Sequence, residues 1–114
     1  MLNKKKKQGI LIITSISDIH QAETLAKKLL KKKLAACIQL IPKIVSLYHW
    51  KNSIQKDQES LLLIKSTEAN FKKIDTFIKK EHPYELPEII SILINEGNQD
   101  YLNWLYQHCL IPEK

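Results

Sequence analysis

One histidine and three carboxylates are concentrated in a short, proline-containing part of the sequence. His82 follows Glu81, and Glu85 and Glu88 complete the set within eight residues. Imidazole nitrogens bind copper, zinc and nickel, and carboxylate oxygens are common ligands of divalent cations. These residue types predict a divalent-metal site formed by His82, Glu81 and Glu85. Because no fixed spacing places two ligands on one element, a second interpretation stays open, and the residues alone favour it: His82 caps the carbonyls of the preceding helix, and the glutamates are solvated.

The two cysteines indicate packing rather than chemistry. Cys37 and Cys109 lie 72 positions apart, and no CxxC motif occurs, so neither a disulfide framework nor a thiol redox motif is predicted. Cys37 follows an apolar Leu-Ala-Ala stretch and has the pattern of a small, buried strand residue, whereas Cys109 falls on the apolar stripe of a predicted helix. We therefore assign Cys37 a structural role and expect a reduced, cytoplasmic protein.

The motifs of phosphate-binding and hydrolytic enzymes are missing from the sequence. With only Gly9 and Gly97, the chain forms neither GxGxxG nor GxxxxGK[ST], and HExxH and GxSxG do not occur. Glu59, Lys65 and His82 have side chains suited to catalysis, but no spacing links a nucleophile to a base. We expect a protein that is not an enzyme.

The basic charge is carried by lysine alone. The chain has 18 lysines, no arginine and 12 acidic residues, which gives a formal net charge of +6. Four lysines form the run Lys4–Lys7, and five more lie between Lys27 and Lys33, where they complement the negative end of a predicted helix. Bidentate recognition of guanine or phosphate is characteristic of arginine. We expect no nucleic-acid partner.

The apolar stretches are too short for a membrane protein. The longest, Ile89–Ile94, is interrupted by Ser91 and falls far below the roughly 18 residues that a spanning helix needs. Ile10–Ile13 is also too short for the apolar part of a secretory signal. We expect no membrane contact.

The hydrophobic pattern predicts four strands and three helices in the order βαββαβα. The predicted elements are a strand at Gly9–Ser15, a helix at Ile19–Lys32 capped by Asp18, a hairpin of Ala35–Trp50 and Ile54–Ser66, a helix from the N-cap Thr67 to Lys80, a strand at Glu88–Asn95, and a helix that Asn98 caps and Pro112 ends. This order is that of a ferredoxin-like α+β domain, a four-stranded antiparallel sheet with helices on one face, plus a C-terminal helix. We assign residues 9–112 to one domain and residues 1–8 to a disordered basic tail.

The predicted hairpin is too long for a compact domain of this size. Sixteen residues, Ala35–Trp50, would span roughly 53 Å at about 3.3 Å each, whereas a compact domain of this length is roughly 35 Å across. The hairpin must bend at Pro42 or project beyond the domain. A projecting arm would expose Leu47, Tyr48 and Trp50, and we therefore expect it to pack on another subunit.

Two further strand segments indicate a sheet that is apolar on both faces. Leu61–Ile64 and Ile89–Ile94 have apolar residues at successive positions, as in strands that are buried on both sides. Because the predicted helices cover one face only, we expect oligomerisation through the other.

Six short motifs in order resemble the CutA divalent-cation tolerance family. They are Lys33-Leu-Ala-Ala-Cys37, Ile41-Pro42, Ser46-Leu-Tyr48 with Trp50, Ile64-Lys-Ser-Thr67, His82-Pro-Tyr-Glu-Leu-Pro-Glu88 and Tyr101-Leu-Asn-Trp-Leu105. The resemblance runs from about Ile10 to Leu110. It implies a ferredoxin-like subunit in a tight homotrimer whose hairpin embraces a neighbour, with an architecture similar to the trimeric PII signalling proteins.

The resemblance also implies a cytoplasmic protein associated with tolerance of copper and other divalent metals, without a firmly assigned enzymatic activity. In family members with a proposed copper site, the ligands are a cysteine at the end of the first strand and paired histidines before the Pro-Tyr. Here Ile13 takes the first position and Glu81-His82 takes the place of the pair, so the implied site has histidine and carboxylate ligands. Copper or zinc is the expected ion, and we expect no metal to be required for folding.

The family pattern further implies clefts between subunits, with six side chains near them: Tyr48, Trp50, Glu59, Lys65, His82 and Tyr84. Aromatic rings beside one lysine, one glutamate and one histidine suit a small anionic or metal-bound ligand. Two alternatives to metal tolerance therefore stay open: a PII-like sensor of a small molecule, and an interaction scaffold for other proteins.

Overall fold

The computed structural model describes residues 7–109, which form four strands and three helices. Their order is β1 (Gly9–Ile16), α1 (Ile19–Lys31), β2 (Cys37–Trp50), β3 (Ser53–Thr67), a 3-10 turn (Glu68–Asn70), α2 (Phe71–Glu81), β4 (Ile90–Leu93) and α3 (Gln99–Gln107). The strands form one antiparallel sheet in the order β2-β3-β1-β4. The predicted α+β fold and its four-stranded antiparallel sheet are confirmed.

The core lies between one face of the sheet and the helices α1 and α2. Ile10 and Ile12 of β1 and Leu62 and Ile64 of β3 are fully buried. They share one cluster with the apolar stripes of the two helices, Ala22, Leu25, Ala26, Leu29, Ile74 and Ile78. Among the described residues, no helix is long and apolar enough to cross a membrane.

The helix caps agree with the sequence in two of three places. The Asp18 carboxylate accepts hydrogen bonds from the backbone N–H groups of His20 and Gln21, and the Asn98 side chain accepts one from Tyr101. The predicted N-cap Thr67 is wrong, since its side chain makes no capping bond and the 3-10 turn separates it from α2. Its hydroxyl instead accepts a hydrogen bond from the Asn70 amide at 3.3 Å.

The two ends of the chain extend partly outside the described residues. Lys4 to Lys6 of the predicted tail and Pro112 of the predicted last helix lie there. Gln8, which we assigned to the tail, donates from Nε2 to the Ile94 carbonyl oxygen at 3.0 Å, and its own carbonyl oxygen accepts from Glu68 at 2.8 Å. The ordered domain therefore begins at least one residue before Gly9.

The β2–β3 hairpin projects beyond the rest of the sheet, as its length predicted. β1 pairs with β3 only from Ser60 to Thr67, so residues 44–59, called the arm below, pair only with one another. At the base of the arm, Pro42 and Lys43 stand opposite the single residue Ser60, which forms a bulge at the position where the sequence allowed a bend. The described residues extend over 55 × 26 × 24 Å with a radius of gyration of 15.3 Å, above the roughly 13 Å of a compact domain.

The second face of the sheet is apolar and only partly covered. Residues that stand opposite each other in an antiparallel pair share a face, so Leu11 with Ile92 and Ile13 with Ile90 lie away from the core. Ile90 and Ile92 are each 48% exposed. β4 is shorter than predicted because its ladder with β1 ends at the Ile13–Ile90 pair, beyond which residues 82–89, called the connector below, lead away from the sheet.

Candidate functional site

His82 is buried at the end of α2 and uses both ring nitrogens within the protein. Its Nδ1 accepts a hydrogen bond from the backbone N–H of Tyr84 at 3.1 Å. Its Nε2 lies 2.9 Å from the carbonyl oxygen of Ser15 and must therefore donate. Burial lowers the pKa of His82, although the Ser15 carbonyl and the charge of Glu59 oppose that shift. The ring is thus neutral, protonated on Nε2, and offers no free nitrogen to a metal ion.

Within the described residues, the other two predicted metal ligands do not form a metal-binding group with His82. Glu81 is paired on the surface with Lys28, at 2.8 Å between Oε1 and Nζ, and this hydrogen bond lowers the pKa of Glu81. Glu85 lies on the exposed connector. Because His82 leaves the helix with an extended backbone, φ −75° and ψ 138°, its ring faces inward while Glu81 stays on the outer helix surface. The set of His82, Glu81 and Glu85 is therefore not assembled within one protomer.

A buried carboxylate lies beside His82 instead. Glu59, only 6% exposed, accepts hydrogen bonds from three hydroxyl groups. Its Oε1 accepts from Ser15 at 3.2 Å and from Ser46 at 2.6 Å, and its Oε2 accepts from the Tyr84 hydroxyl at 2.6 Å. The Tyr84 ring also makes an edge contact with His82, at 4.6 Å between centroids. This network fixes the carboxylate where the arm, β1 and the connector meet.

The network opens into a groove between the arm and the connector, with a cavity volume of about 960 Å³. Four carboxylates line it: Asp57, Glu59, Glu85 and Glu88. Three aromatic side chains line it as well, Tyr48, Trp50 and Tyr84, and the Tyr48 hydroxyl donates to Asp57. Although the chain carries 18 lysines, none of those within residues 7–109 belongs to the groove lining. The groove is therefore an acidic surface on a basic protein.

Residues 10–108 match the family model of the CutA1 divalent ion tolerance protein. The chain belongs to the CutA1 family. It is 41% identical over 101 residues to the divalent-cation tolerance protein CutA of Thermus thermophilus, which covers 89% of this chain and 97% of that protein.

Solved CutA structures have the same fold. The rice CutA1 crystal structure matches with a TM-score of 0.88 at 33% identity, over 90% of this chain and 94% of that one. The structure of CutA from Archaeoglobus fulgidus, described as periplasmic, matches with a TM-score of 0.85 at 31% identity, over 88% of this chain and 97% of that one. The family resemblance inferred from the six motifs is confirmed.

Of the six predicted cleft residues, the structure places four in the groove lining, His82 in contact with one of them, Tyr84, and Lys65 elsewhere. Tyr48, Trp50, Glu59 and Tyr84 all line the groove. Lys65 does not, because it lies six positions from Glu59 along β3, roughly 20 Å away, and its Nζ stands 5.4 Å from the centre of the Tyr101 ring. In this CutA1-family chain, the predicted combination of aromatic rings with a lysine does not form within one protomer.

Cys37 lies at the start of β2, opposite Lys65 in the ladder, and is half-buried. Neither it nor any other described residue belongs to a group of three or more His, Cys, Asp or Glu side chains placed to hold a metal ion. The structural role assigned to Cys37 stays a prediction.

Two residues of the CutA1-family groove that carry its hydrogen bonds were missed in the sequence. Ser15 and Ser46 hold Glu59, and each stands in a strand segment rich in apolar residues. Ser46 belonged to one of the family motifs, but neither hydroxyl was assigned a role, because nothing in the sequence places it beside Glu59.

The hydroxyl of Tyr84 is expected to titrate late, because burial and the hydrogen bond to Glu59 raise its pKa to about 12. Since this folded-state pKa exceeds the unfolded value of about 10, the stabilisation is complete below pH 10 and is lost between about pH 10 and 12. Glu59→Gln should lower the pKa of Tyr84, as measured by phenolate absorbance. Tyr84→Phe should reduce the pH dependence of unfolding in this window, and part of it should remain because the hydrogen bond to Asp57 also raises the pKa of Tyr48. Tyr106→Phe on α3 should not change it. An unchanged dependence in Tyr84→Phe would contradict the assignment.

Proposed function

We propose that this protein acts in divalent-cation tolerance as a non-enzymatic cytoplasmic homotrimer whose acidic groove attracts divalent cations. The observation that carries the proposal is the composition of the groove, which has four carboxylates and, among the described residues, no lysine in its lining. Membership of the CutA1 divalent ion tolerance family also supports a role in divalent-cation tolerance.

The charge of the groove favours cations over the small anionic ligand that the sequence left open. An anion would face Asp57, Glu59, Glu85 and Glu88 at once, and like charges at close range repel by several kcal/mol at protein surfaces, about 4 kcal/mol per pair at 4 Å. The one lysine invoked for anion binding, Lys65, lies beside Tyr101. A PII-like sensor function would therefore require a cationic ligand.

The donor atoms of the groove suit hard divalent cations better than copper. Carboxylate oxygens favour magnesium, calcium and manganese, whereas copper and zinc prefer imidazole or thiolate. A hydrated ion would lie near one or two of Asp57, Glu85 and Glu88 at a time, while Glu59 is held by its three hydroxyl partners and contributes its charge. His49 is the one imidazole in the groove lining. We propose modest affinity and broad selectivity rather than a closed copper site.

The exposed apolar surface supports the homotrimer. Val45, Leu47 and Ile54 on the arm are 58%, 68% and 71% exposed, and Ile90 and Ile92 on the open sheet face are 48% exposed. Apolar surface of this extent on two sides of a small domain indicates protein contacts. Cys37 and Cys109 are free thiols, which accords with a reducing, cytoplasmic location.

Titration calorimetry with manganese tests the groove as the cation site. We expect the double variant Asp57→Asn/Glu88→Gln to bind manganese at least about tenfold more weakly, which corresponds to about 1.4 kcal/mol. The variant Glu68→Gln/Asp75→Asn removes the same charge outside the groove and should bind normally. His82→Gln, which retains an N–H donor for Ser15, should also bind normally. Loss of binding in His82→Gln together with normal binding in the groove variant would overturn the proposal.

A further inference from the structure

We propose that the groove also binds an extended organic polycation, a polyamine with several ammonium groups separated by methylene chains. The inference rests on the groove of the proposed function and goes beyond it by naming a second class of ligand. It follows from how the charges are distributed, what lies between them and how large the cavity is.

The carboxylates of the groove are spread rather than convergent. Asp57 and Glu59 belong to the arm, and Glu85 and Glu88 belong to the connector on the other side. Among residues 7–109, no three such side chains are close enough to hold one metal ion. A single compact ion reaches only part of this charge at a time. A flexible molecule with ammonium groups several ångströms apart reaches successive carboxylates and gains from each of them.

Aromatic and aliphatic side chains alternate with these charges. Tyr48 and Trp50 line the arm side of the groove, and Tyr84 lines the connector side. Ammonium groups are attracted to aromatic faces, most strongly to tryptophan. Leu86, which is 72% exposed, also lines the groove and gives methylene groups an apolar surface. A hydrated metal ion gains nothing from either kind of contact.

Glu59 provides a fixed charge at the base of the groove. A carboxylate has about four acceptor positions, and hydroxyl groups of Ser15, Ser46 and Tyr84 occupy three. One position remains for an ammonium N–H. Because its partners hold the carboxylate in place, binding requires little reordering of this side chain.

The size of the cavity fits a small organic molecule. Its volume of about 960 Å³ lies near the upper end of the range for small-molecule sites, roughly 300–1,000 Å³. Extended triamines fill such a space along its length, with room for the water that their charges retain.

Fluorescence and calorimetry with spermidine test this inference on the full chain. Trp50 and Trp104 are the two tryptophans, so Trp104→Leu leaves Trp50 as the only tryptophan reporter. We expect spermidine to change its fluorescence saturably and 1,8-octanediol, a similarly long uncharged molecule, to leave it unchanged. In calorimetry, Trp50→Leu should weaken spermidine binding roughly fivefold to tenfold through the lost cation–π contact, and Trp50→Phe should give an intermediate affinity. Manganese binding should stay within about twofold in both variants.

Several outcomes separate this inference from the proposed function. Absence of saturable spermidine binding while manganese binds normally would overturn the polycation and leave the metal proposal standing. Spermidine binding without manganese binding would overturn the metal proposal and leave the polycation proposal standing. If both Trp50 variants bind spermidine as well as the parent chain does, carboxylates alone attract the cation and the inference is wrong. Binding of a penta-lysine peptide but not of spermidine would also overturn it, in favour of a protein segment.

Discussion

Ile92→Asp is expected to dissociate the protein into monomers. Ile92 lies in the edge strand β4, opposite Leu11 on the sheet face away from the core, and it is 48% exposed in the protomer. In the proposed homotrimer this face is buried, so each copy loses the burial of the exposed half of this side chain, which is worth about 1 kcal/mol. Each copy must also desolvate a carboxylate, which costs several kcal/mol more. Because the substitution is present in all three copies, its cost to the free energy of trimer assembly is counted three times.

Sedimentation equilibrium at micromolar concentration measures this effect. The parent chain should have three times the protomer mass of 13.3 kDa, and Ile92→Asp should have the mass of one protomer. Leu30→Asp is the matched control, because Leu30 is a similarly exposed apolar residue, at 38%, on the helical layer that covers the other face. It should remain trimeric. A monomeric parent chain, or a trimeric Ile92→Asp, would show that the open face is not the subunit contact.

Glu59→Ala is expected to destabilise the fold strongly although Glu59 lies at the base of a groove. The substitution removes the acceptor of three hydroxyl groups, of which Ser15 is buried and Tyr84 half-buried. Hydrogen bonds to charged groups contribute about 1.5–3 kcal/mol each, but rotating hydroxyls can find other partners. We therefore expect a net loss of about 2–4 kcal/mol in the free energy of unfolding.

Urea unfolding at a fixed protomer concentration measures this loss, because oligomers gain stability with concentration. Gln58→Ala, next in sequence but exposed, should change the free energy of unfolding by less than about 0.5 kcal/mol. Glu59→Gln keeps one acceptor oxygen, so its loss in the free energy of unfolding should lie between those of Glu59→Ala and Gln58→Ala. If Glu59→Ala unfolds at the same urea concentration as the parent chain, the network does not anchor the arm to the connector.

Hydrophobic periodicity and chain length predicted most of the fold. Apolar residues at helical spacing between Ala22 and Leu30 predicted α1, and Asp18 and Asn98 predicted where two helices begin. These signals are local in sequence, so they do not depend on tertiary contacts. Strand length alone required a bend at Pro42 or a projecting arm, and the structure has both a bulge at Pro42 and a projecting arm. The Thr67 cap failed because the chain tightens into a 3-10 turn before α2, which the residue types do not reveal.

The site was less accessible from the sequence because it depends on register. Tyr48, Glu59 and Tyr84 come together through the pairing of the arm and the path of the connector, and only the family resemblance placed them near one another. The orientation of His82 depends on one backbone torsion and on the Ser15 carbonyl, neither of which is encoded in its neighbours. Lys65 was misplaced because a shared strand does not imply a shared site six residues away.

Anomalous diffraction from crystals soaked in zinc tests most directly where this protein binds divalent cations. Zinc accepts both imidazole and carboxylate ligands, so it does not favour the groove in advance. We expect the anomalous peak in the groove, beside one or two of Asp57, Glu85 and Glu88, with the His82 ring still bonded to Ser15 and Tyr84. A peak bonded to a ring nitrogen of His82, with either of those hydrogen bonds broken, would contradict the assignment of the groove as the cation site.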